Sequence, residues 1–560
     1  MEAFGFRSIS RGTHTASFYC VVTCLLWCAF ASRAAAQDPV PPARPAGIVV
    51  IGIDALSTEG LQMAATPNLD TLIRRGALSL RTRAVMPTVS APNWASMLMG
   101  AGPEQHGITK NGWTRATATI EPAARDADGY FPSIFQLVRN QSPGAKTGMF
   151  YDWDKLADFF NPKYFDAHTY SEDYHESVRR VSGFIIGQKP LLTFLYIGHA
   201  DDVGHESGHG TEKYWKAVSD LDAEVGRLLS DLKKAGMFDS LLFFVITDHG
   251  GVGNGHGGES MAEIEVPWIV SGPGTVRDRL LAKPNNSLNT ASTIAWVLGL
   301  KQPDAWIGRP VTEAFESTPG GASYVARPLV SVRPGVYFES QRVTISSRDR
   351  DAAIRYTTDG SEPGIGSPVY RDPIVIDSPA VVKAVAVTGR GISSVSGSEI
   401  RVIRGMKGVR LRTEPSEKYA AGGAPALIDG VRGSERYNDG RWAGFEGVDM
   451  DLVIDFGSPR TVNGVSIGCL NDTASWIFLP VAAEFYGSAD GGNFAPVKQG
   501  ASDLMKMRNS LTGSQTFTVS PQGFRDRYLR VVVKNLGTCP PGHSAGGKKA
   551  WLFVDEVIIQ

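Results

Sequence analysis

Cysteine is scarce in this chain: five in 560 residues, with Cys20, Cys24 and Cys28 all inside the first thirty. Beyond them only Cys469 and Cys539 remain, too few for a disulfide-stapled scaffold, although in an exported protein such a pair can close one bridge. An excess of charge of either sign is also missing. The 56 Lys and Arg against 57 Asp and Glu leave a formal net charge of −1, which argues against a polybasic nucleic-acid scaffold and an acidic disordered tail. No apolar run after the first thirty residues is long enough to span a bilayer. The 62 Gly and 33 Pro follow no period, so a collagen-like chain is excluded. With 42% hydrophobic and 20% charged residues, the chain can bury several cores, and its length calls for more than one domain.

The N-terminus reads as an export signal. Arg7 and Arg11 precede the apolar run Ala16 to Phe30, and Ala34, Ala35 and Ala36 supply the small residues of a cleavage site. Residues 1–36 are therefore expected to be removed, leaving a periplasmic, secreted or cell-surface protein without an integral membrane segment.

From about Gly47 to Phe315, strand-like and helix-like segments alternate. The runs at Gly47 to Leu56, Leu191 to Ile197, Leu241 to Thr247 and Val266 to Ser271 have the continuous apolar character of strands buried on both faces. A long amphipathic segment, Glu212 to Ala235, lies between two of them. This predicts an α/β domain, an αβα sandwich around a mostly parallel sheet. The pattern stops at the Gly/Pro/Ser-rich stretch Ser317 to Ser323. Beyond it, short strands and turns predict two all-β sandwich modules, giving domains at 46–316, 325–404 and 405–560.

Histidine shows where the chemistry lies. Eight of ten histidines fall between His106 and His256, and five of those between His199 and His256. Asp54 closes the first strand, where a carboxylate is costly to bury unless paired or bound to a metal. Asp201 and His205 stand four apart, suited to one helical turn or a tight loop. Asp248 and His249 close another strand, and His256 follows among glycines. Strand C-terminal ends are where α/β sheets build ligand sites. Three Asp and three His suit Zn²⁺ or a related transition ion better than an all-oxygen Ca²⁺ or Mg²⁺ cage, and six ligands suit two ions better than one. Ser90 is placed at the start of a helix running to about Met99, where the dipole favours an anionic substrate and a neighbouring metal can activate the hydroxyl.

In order and spacing these residues resemble the alkaline phosphatase superfamily, in its type I phosphodiesterase/nucleotide pyrophosphatase branch. The resemblance rests on Asp54, the segment Pro87 to Asn93, His106-Gly107-Ile108, Asp201 with His205, Asp248-His249-Gly250 and His256-Gly257. It implies two Zn²⁺ per chain, or Mn²⁺ or another divalent ion in their place. One would lie on Asp201, His205 and His256, the other on Asp54, Ser90, Asp248 and His249. It further implies a Ser90 phospho-enzyme acting on a small phosphoester, with Asn93 donating to a phosphate oxygen and Asn111 as a second substrate contact. Phosphodiesters or pyrophosphates are the expected substrates. A phosphomonoesterase, a sulfatase and a carbohydrate-binding surface protein with an inert α/β domain are the alternatives. Ala91 stands where the family often has an aromatic residue, which weakens any expectation of nucleobase stacking.

Two further resemblances follow downstream. Ile354 to Pro363 with Val382 to Ala386 resembles the small sandwich appended to chitobiase and hexosaminidase enzymes. Residues from Arg404 on resemble a discoidin or coagulation-factor C-type module, which implies a glycan partner and makes Trp442 and Trp476 candidate sugar platforms.

Overall fold

A computed structural model describes residues 41–315, 322–502 and 513–560. The export signal expected at residues 1–36, and most of the Ser317 to Ser323 stretch, lie outside the described residues. The chain forms two compact units that divide between Tyr324 and Val325.

The first unit is built on a mixed sheet in the order β4-β3-β5-β1-β6-β7-β2-β8. Its strands are β1 (Gly47–Ile53), β2 (Gly76–Arg83), β3 (Thr147–Tyr151), β4 (Ala167–Tyr170), β5 (Leu192–Ile197), β6 (Leu241–Ile246), β7 (Glu265–Ser271) and β8 (Arg279–Leu280), with β9 (Asn285–Asn286) also paired to β2. β1, central to the site, pairs in parallel with β5 and β6, and all seven of its residues are buried. That is why it reads as an unbroken apolar run rather than an alternating one. β7 runs antiparallel to both β6 and β2. The chain between β6 and β7 includes only the one-turn helix Met261–Ile264 and no long crossover helix. The next strand therefore re-enters from the edge where β6 ended, as an antiparallel neighbour.

The long helix Glu212–Lys234 forms where its amphipathic pattern placed it. Pro67 opens the helix Pro67–Arg75, but Thr66 makes no side-chain cap. Asp222, reaching over from the long helix, accepts from the backbone N–H of Asn68 and Leu69 at 3.1 and 2.7 Å instead. On one face of the sheet, Ile48 and Val50 pack with Trp94, Leu98, Phe135 and Ile294 from three helices.

The second unit is all β. A small sheet joins Gly335–Tyr337, Ser396–Val402, Ala380–Thr388 and Ala353–Thr357, antiparallel except at the Gly335–Tyr337 edge. Two five-stranded antiparallel sheets then face each other over a core that includes Phe445, Ile467, Phe485 and Val531. Two sequence expectations fail here. Cys469 and Cys539 are separate free thiols, the first in that core and the second in a small cluster with Ala545 and Ala550. Trp442 is 1% exposed, packed on Leu470, Ile477 and Phe553, and its indole N–H donates to the Ser434 carbonyl at 3.0 Å. A ring with no free face cannot stack on a sugar.

Candidate metal centre and nucleophile

The loops leaving β1, β5 and β6 bring the predicted ligands together. Asp54 follows β1, and Asp248 and His249 follow β6; all three are buried. Asp201 and His205 lie on one face of the helix His199–Ser207, which begins directly after β5. Asp201, His205 and His256 offer ligand atoms within 4.8 Å of one another, and so do Asp54, Asp201 and His249. Asp202, one residue along the same helix, is exposed and belongs to neither group.

Hydrogen bonding fixes the state of the histidines. Nδ1 of His249 faces the Gly250 carbonyl at 2.9 Å, that of His256 the Thr88 carbonyl at 3.0 Å, and that of His205 the Asn254 carbonyl at 2.9 Å. A carbonyl only accepts, so each Nδ1 donates its hydrogen, and Nε2 is the nitrogen whose lone pair is left for coordination once it is unprotonated. Those lone pairs point at carboxylates: His249 Nε2 lies 3.1 Å from Asp248 Oδ2 and 3.6 Å from Asp54 Oδ1. His205 and His256 Nε2 lie 3.4 and 3.7 Å from the two oxygens of Asp201. Asp54 Oδ1, Asp201 Oδ1 and Asp248 Oδ2 are buried and accept no hydrogen bond.

An Nε2 lone pair facing carboxylate oxygens is unfavourable unless a cation, a proton or a metal ion, lies between them. The protonation equilibria carry the same strain. Burial, then the charges of Asp54 and Asp202, push Asp201 up to about 8. Burial and Asp54 raise Asp248, and burial raises Asp54 even against hydrogen bonds from Tyr196 and Trp94. Burial, followed by repulsion from His256, holds His249 well below the ordinary histidine range. The donor set thus fits divalent ions of the zinc type.

Ser90 opens the helix Ser90–Met99, and its Oγ lies 3.3 Å from His249 Nε2. Asn93, expected to touch substrate, does not. It is fully buried: Oδ1 accepts from the Val85 N–H at 2.7 Å, and Nδ2 donates to the carbonyls of Val85, Pro87 and Val89. It braces the loop that presents Ser90. Asn111 is differently placed. Its Oδ1 accepts from the Ala91 N–H at 2.8 Å, and it lines the cleft beside Ser90.

Two residues at the site were missed from sequence. Tyr196 and Trp94 donate to Asp54 Oδ2 at 2.6 and 3.1 Å, turning Oδ1 toward His249. Gly52 permits this, since a Cβ there would lie 2.7 Å from the Trp94 ring. Tyr196 is the next-to-last residue of the apolar run before Gly198, and that position was the one available signal. His106 of the His-Gly-Ile segment is structural: Nε2 pairs with the Ser96 hydroxyl at 2.9 Å, and Nδ1 accepts from the Ile108 N–H at 3.0 Å. The cleft above the site encloses about 730 Å³ and continues past Asp152, Trp153 and Tyr174.

Comparison with known proteins assigns each segment. Residues 48–263 match the type I phosphodiesterase / nucleotide pyrophosphatase family model, and every residue of the centre lies within that span. All three resemblances hold. Residues 332–398 match the chitobiase/beta-hexosaminidase C-terminal domain, and residues 413–551 the F5/8 type C domain. Relatives of the type I phosphodiesterase-like segment include a bis(5'-adenosyl)-triphosphatase of Bos taurus, 26% identical over 217 residues, covering 37% of this chain and 48% of that protein. Ectonucleotide pyrophosphatase/phosphodiesterase family member 7 of Mus musculus is 24% identical over 250 residues, covering 42% and 55%. The chain spans about half the length of the curated relatives it matches. Among solved structures, murine ectonucleotide pyrophosphatase/phosphodiesterase 5 aligns at TM-score 0.42 and 16% identity, over 48% of this chain and 100% of that one.

Proposed function

We propose that the chain is an exported, two-zinc phosphodiesterase acting through a Ser90 phospho-enzyme, with its catalytic domain at 46–316. One observation carries this reading: three histidines with Nδ1 tied to carbonyls aim Nε2 at a cluster of carboxylates beside a helix-N-terminal serine. Asp201, His205 and His256 would hold one ion, and Asp54, Ser90, Asp248 and His249 the other. Zinc so held supplies Lewis acidity to the phosphoryl oxygens and to the attacking and leaving oxygens.

The protein's own groups complete the chemistry. Ser90 Oγ releases its proton to water and attacks phosphorus; the bond to the leaving group breaks as the serine–phosphorus bond forms, and the leaving oxygen takes a proton from water. Water then takes the leaving group's place at phosphorus and restores the Ser90 hydroxyl. Asn111, held through Oδ1 by Ala91, presents Nδ2 to a non-bridging oxygen. The positive end of the Ser90–Met99 helix favours the anion.

Diesters are favoured over monoesters by the charge of the cleft. Lys155 is the single lysine or arginine among its described lining residues, and its Nζ lies 2.9 Å from Asp154. A second phosphate charge would therefore meet at most this one side-chain cation, shared with Asp154, in a cleft lined by several carboxylates. The test is turnover of bis-p-nitrophenyl phosphate and p-nitrophenyl phosphate by the zinc-loaded full chain. Failure on both sinks the reading, and a monoester preference sinks its finer part.

The C-terminal module is assigned a glycan-binding role through Trp476. This residue lines an aromatic cleft with Tyr419, Tyr437 and Trp551, and the module matches the F5/8 type C domain. Binding of the full chain to a glycan array, lost in Trp476→Ala, tests it.

A further inference from the structure

His209 lies beside the metal centre without belonging to either ligand group. Both of its ring nitrogens are buried, and among the described residues neither has a hydrogen-bond partner. The ring is therefore held by shape. On one side it lies against Gly204, where an added Cβ would come within 2.2 Å of its Cε1. On the other it lies against Gly251, where a Cβ would come within 2.3 Å of its Cδ2. The three atoms nearest to each such Cβ all belong to His209. Neither glycine has a positive φ, so the ring, and not the backbone conformation, excludes a side chain at both positions.

These two glycines sit on the two segments that meet to form the Asp201, His205 and His256 group. Gly204 is in the helix His199–Ser207, between Asp201 and His205. Gly251 begins the loop that leads from His249 to His256. His209 also ties that loop through its backbone, since its N–H donates to the Gly253 carbonyl at 2.7 Å. A third wall is Tyr214, whose ring meets the imidazole edge-on with centroids 5.3 Å apart. Tyr214 is fully buried, and its hydroxyl donates to the carbonyl of Ala55, next to Asp54, at 2.6 Å. The imidazole thus fills a slot between the helix and the loop, closed at one edge by a fixed side chain.

We infer that His209 is a positioning residue for the first ion, the one assigned to Asp201, His205 and His256; the inference rests on the two-ion reading above. The ring is a spacer that sets the distance between helix and loop, and so brings His256 to Asp201 and His205. Metal ligands tolerate little misplacement, so a spacer removed or overfilled loosens this ion first. The residues assigned to the second ion follow β1 and β6 or open the helix Ser90–Met99, and none of them lies on the helix His199–Ser207.

The test is competition titration of zinc against a chromophoric chelator on the full chain, with circular dichroism to confirm the fold. His256→Ala removes a ligand of the first ion alone and so identifies that ion's binding step. His209→Ala should weaken the same step by about tenfold or more and shift the other by about twofold or less. Gly204→Ala favours the helix in itself, yet its Cβ presses on the ring, and it should weaken the same step by about tenfold or more. In the double variant His209→Ala/Gly204→Ala the new methyl group enters the vacated space. The two losses should therefore fall short of multiplying by about threefold or more. In cobalt-loaded protein, the visible bands lost in His256→Ala should be the ones that change in His209→Ala. The proposal is overturned if His209→Ala binds both ions like the parent chain, if it weakens both equally, or if the two losses multiply. A parent chain that binds fewer than two ions overturns the two-ion reading, and this inference with it.

Discussion

Tyr196 donates its phenolic hydrogen to Oδ2 of Asp54 at 2.6 Å, and this bond directs the other carboxylate oxygen, Oδ1, toward His249. The two residues meet because β1 and β5 are parallel neighbours in register, Ile53 beside Ile197. Outer hydrogen bonds of this kind set ligand orientation and basicity, and their loss typically costs ten- to a hundredfold in metal affinity. Tyr196→Phe is therefore expected to weaken zinc binding by about tenfold or more, read by competition with a chromophoric chelator, while leaving the fold intact by circular dichroism.

The two asparagines near Ser90 should separate cleanly. Asn93→Ala strips partners from four backbone groups, two buried and two part-buried, and should cost about 3 kcal/mol of stability, seen as a lowered unfolding midpoint. Asn111→Ala sits at an exposed position and should leave stability nearly unchanged. It should lower kcat/KM for a diester by about a hundredfold, the usual worth of one transition-state donor. A reversed pattern would return Asn93 to the role its position in the sequence suggested.

Much of this was legible before any coordinates. Asp54, Asp248 and His249 each follow an unbroken apolar run, and such runs are strands buried on both faces. Asp201 and His205 carry a helical spacing. What was hidden depends on distances between segments. Whether Asn93 faces the cleft or the loop turns on how residues 85–89 fold back over it. Trp442 and Trp476 look alike in sequence, yet the first fills a core. Cys469 and Cys539 lie in separate clusters that no local pattern separates.

The carboxylates predict a pH signature for the metal-free protein. Asp201 is pushed up to about 8, and Asp152 to about 7 and Glu556 to about 8, each chiefly by burial. A carboxyl group with a raised folded-state pKa contributes stability at low pH that is lost as pH climbs through that pKa. Between pH 7 and 8, above the ordinary histidine value of about 6.5, the unfolding temperature of chelator-treated protein should therefore fall. Zinc should diminish the slope, and Asp201→Asn should diminish it without zinc. A metal-free protein whose stability is flat across this window would count against the buried-carboxylate picture.

Trp476 stands in an aromatic cleft with its ring beneath Lys548, at 5.1 Å from Nζ. Trp476→Ala should abolish any glycan binding by the full chain without altering turnover of a soluble diester. Trp442→Phe should leave the same glycan binding in place, since the parent ring is buried.

The most direct measurement is pre-steady-state hydrolysis of excess bis-p-nitrophenyl phosphate by zinc-loaded full chain and by Ser90→Ala, with bound zinc quantified in both. The proposed chemistry predicts a burst of p-nitrophenol matching the enzyme concentration, a p-nitrophenyl phosphoryl group on Ser90, and loss of at least about a thousandfold in Ser90→Ala. Equal turnover by the two proteins, or zinc-loaded parent chain that cleaves nothing, would contradict it.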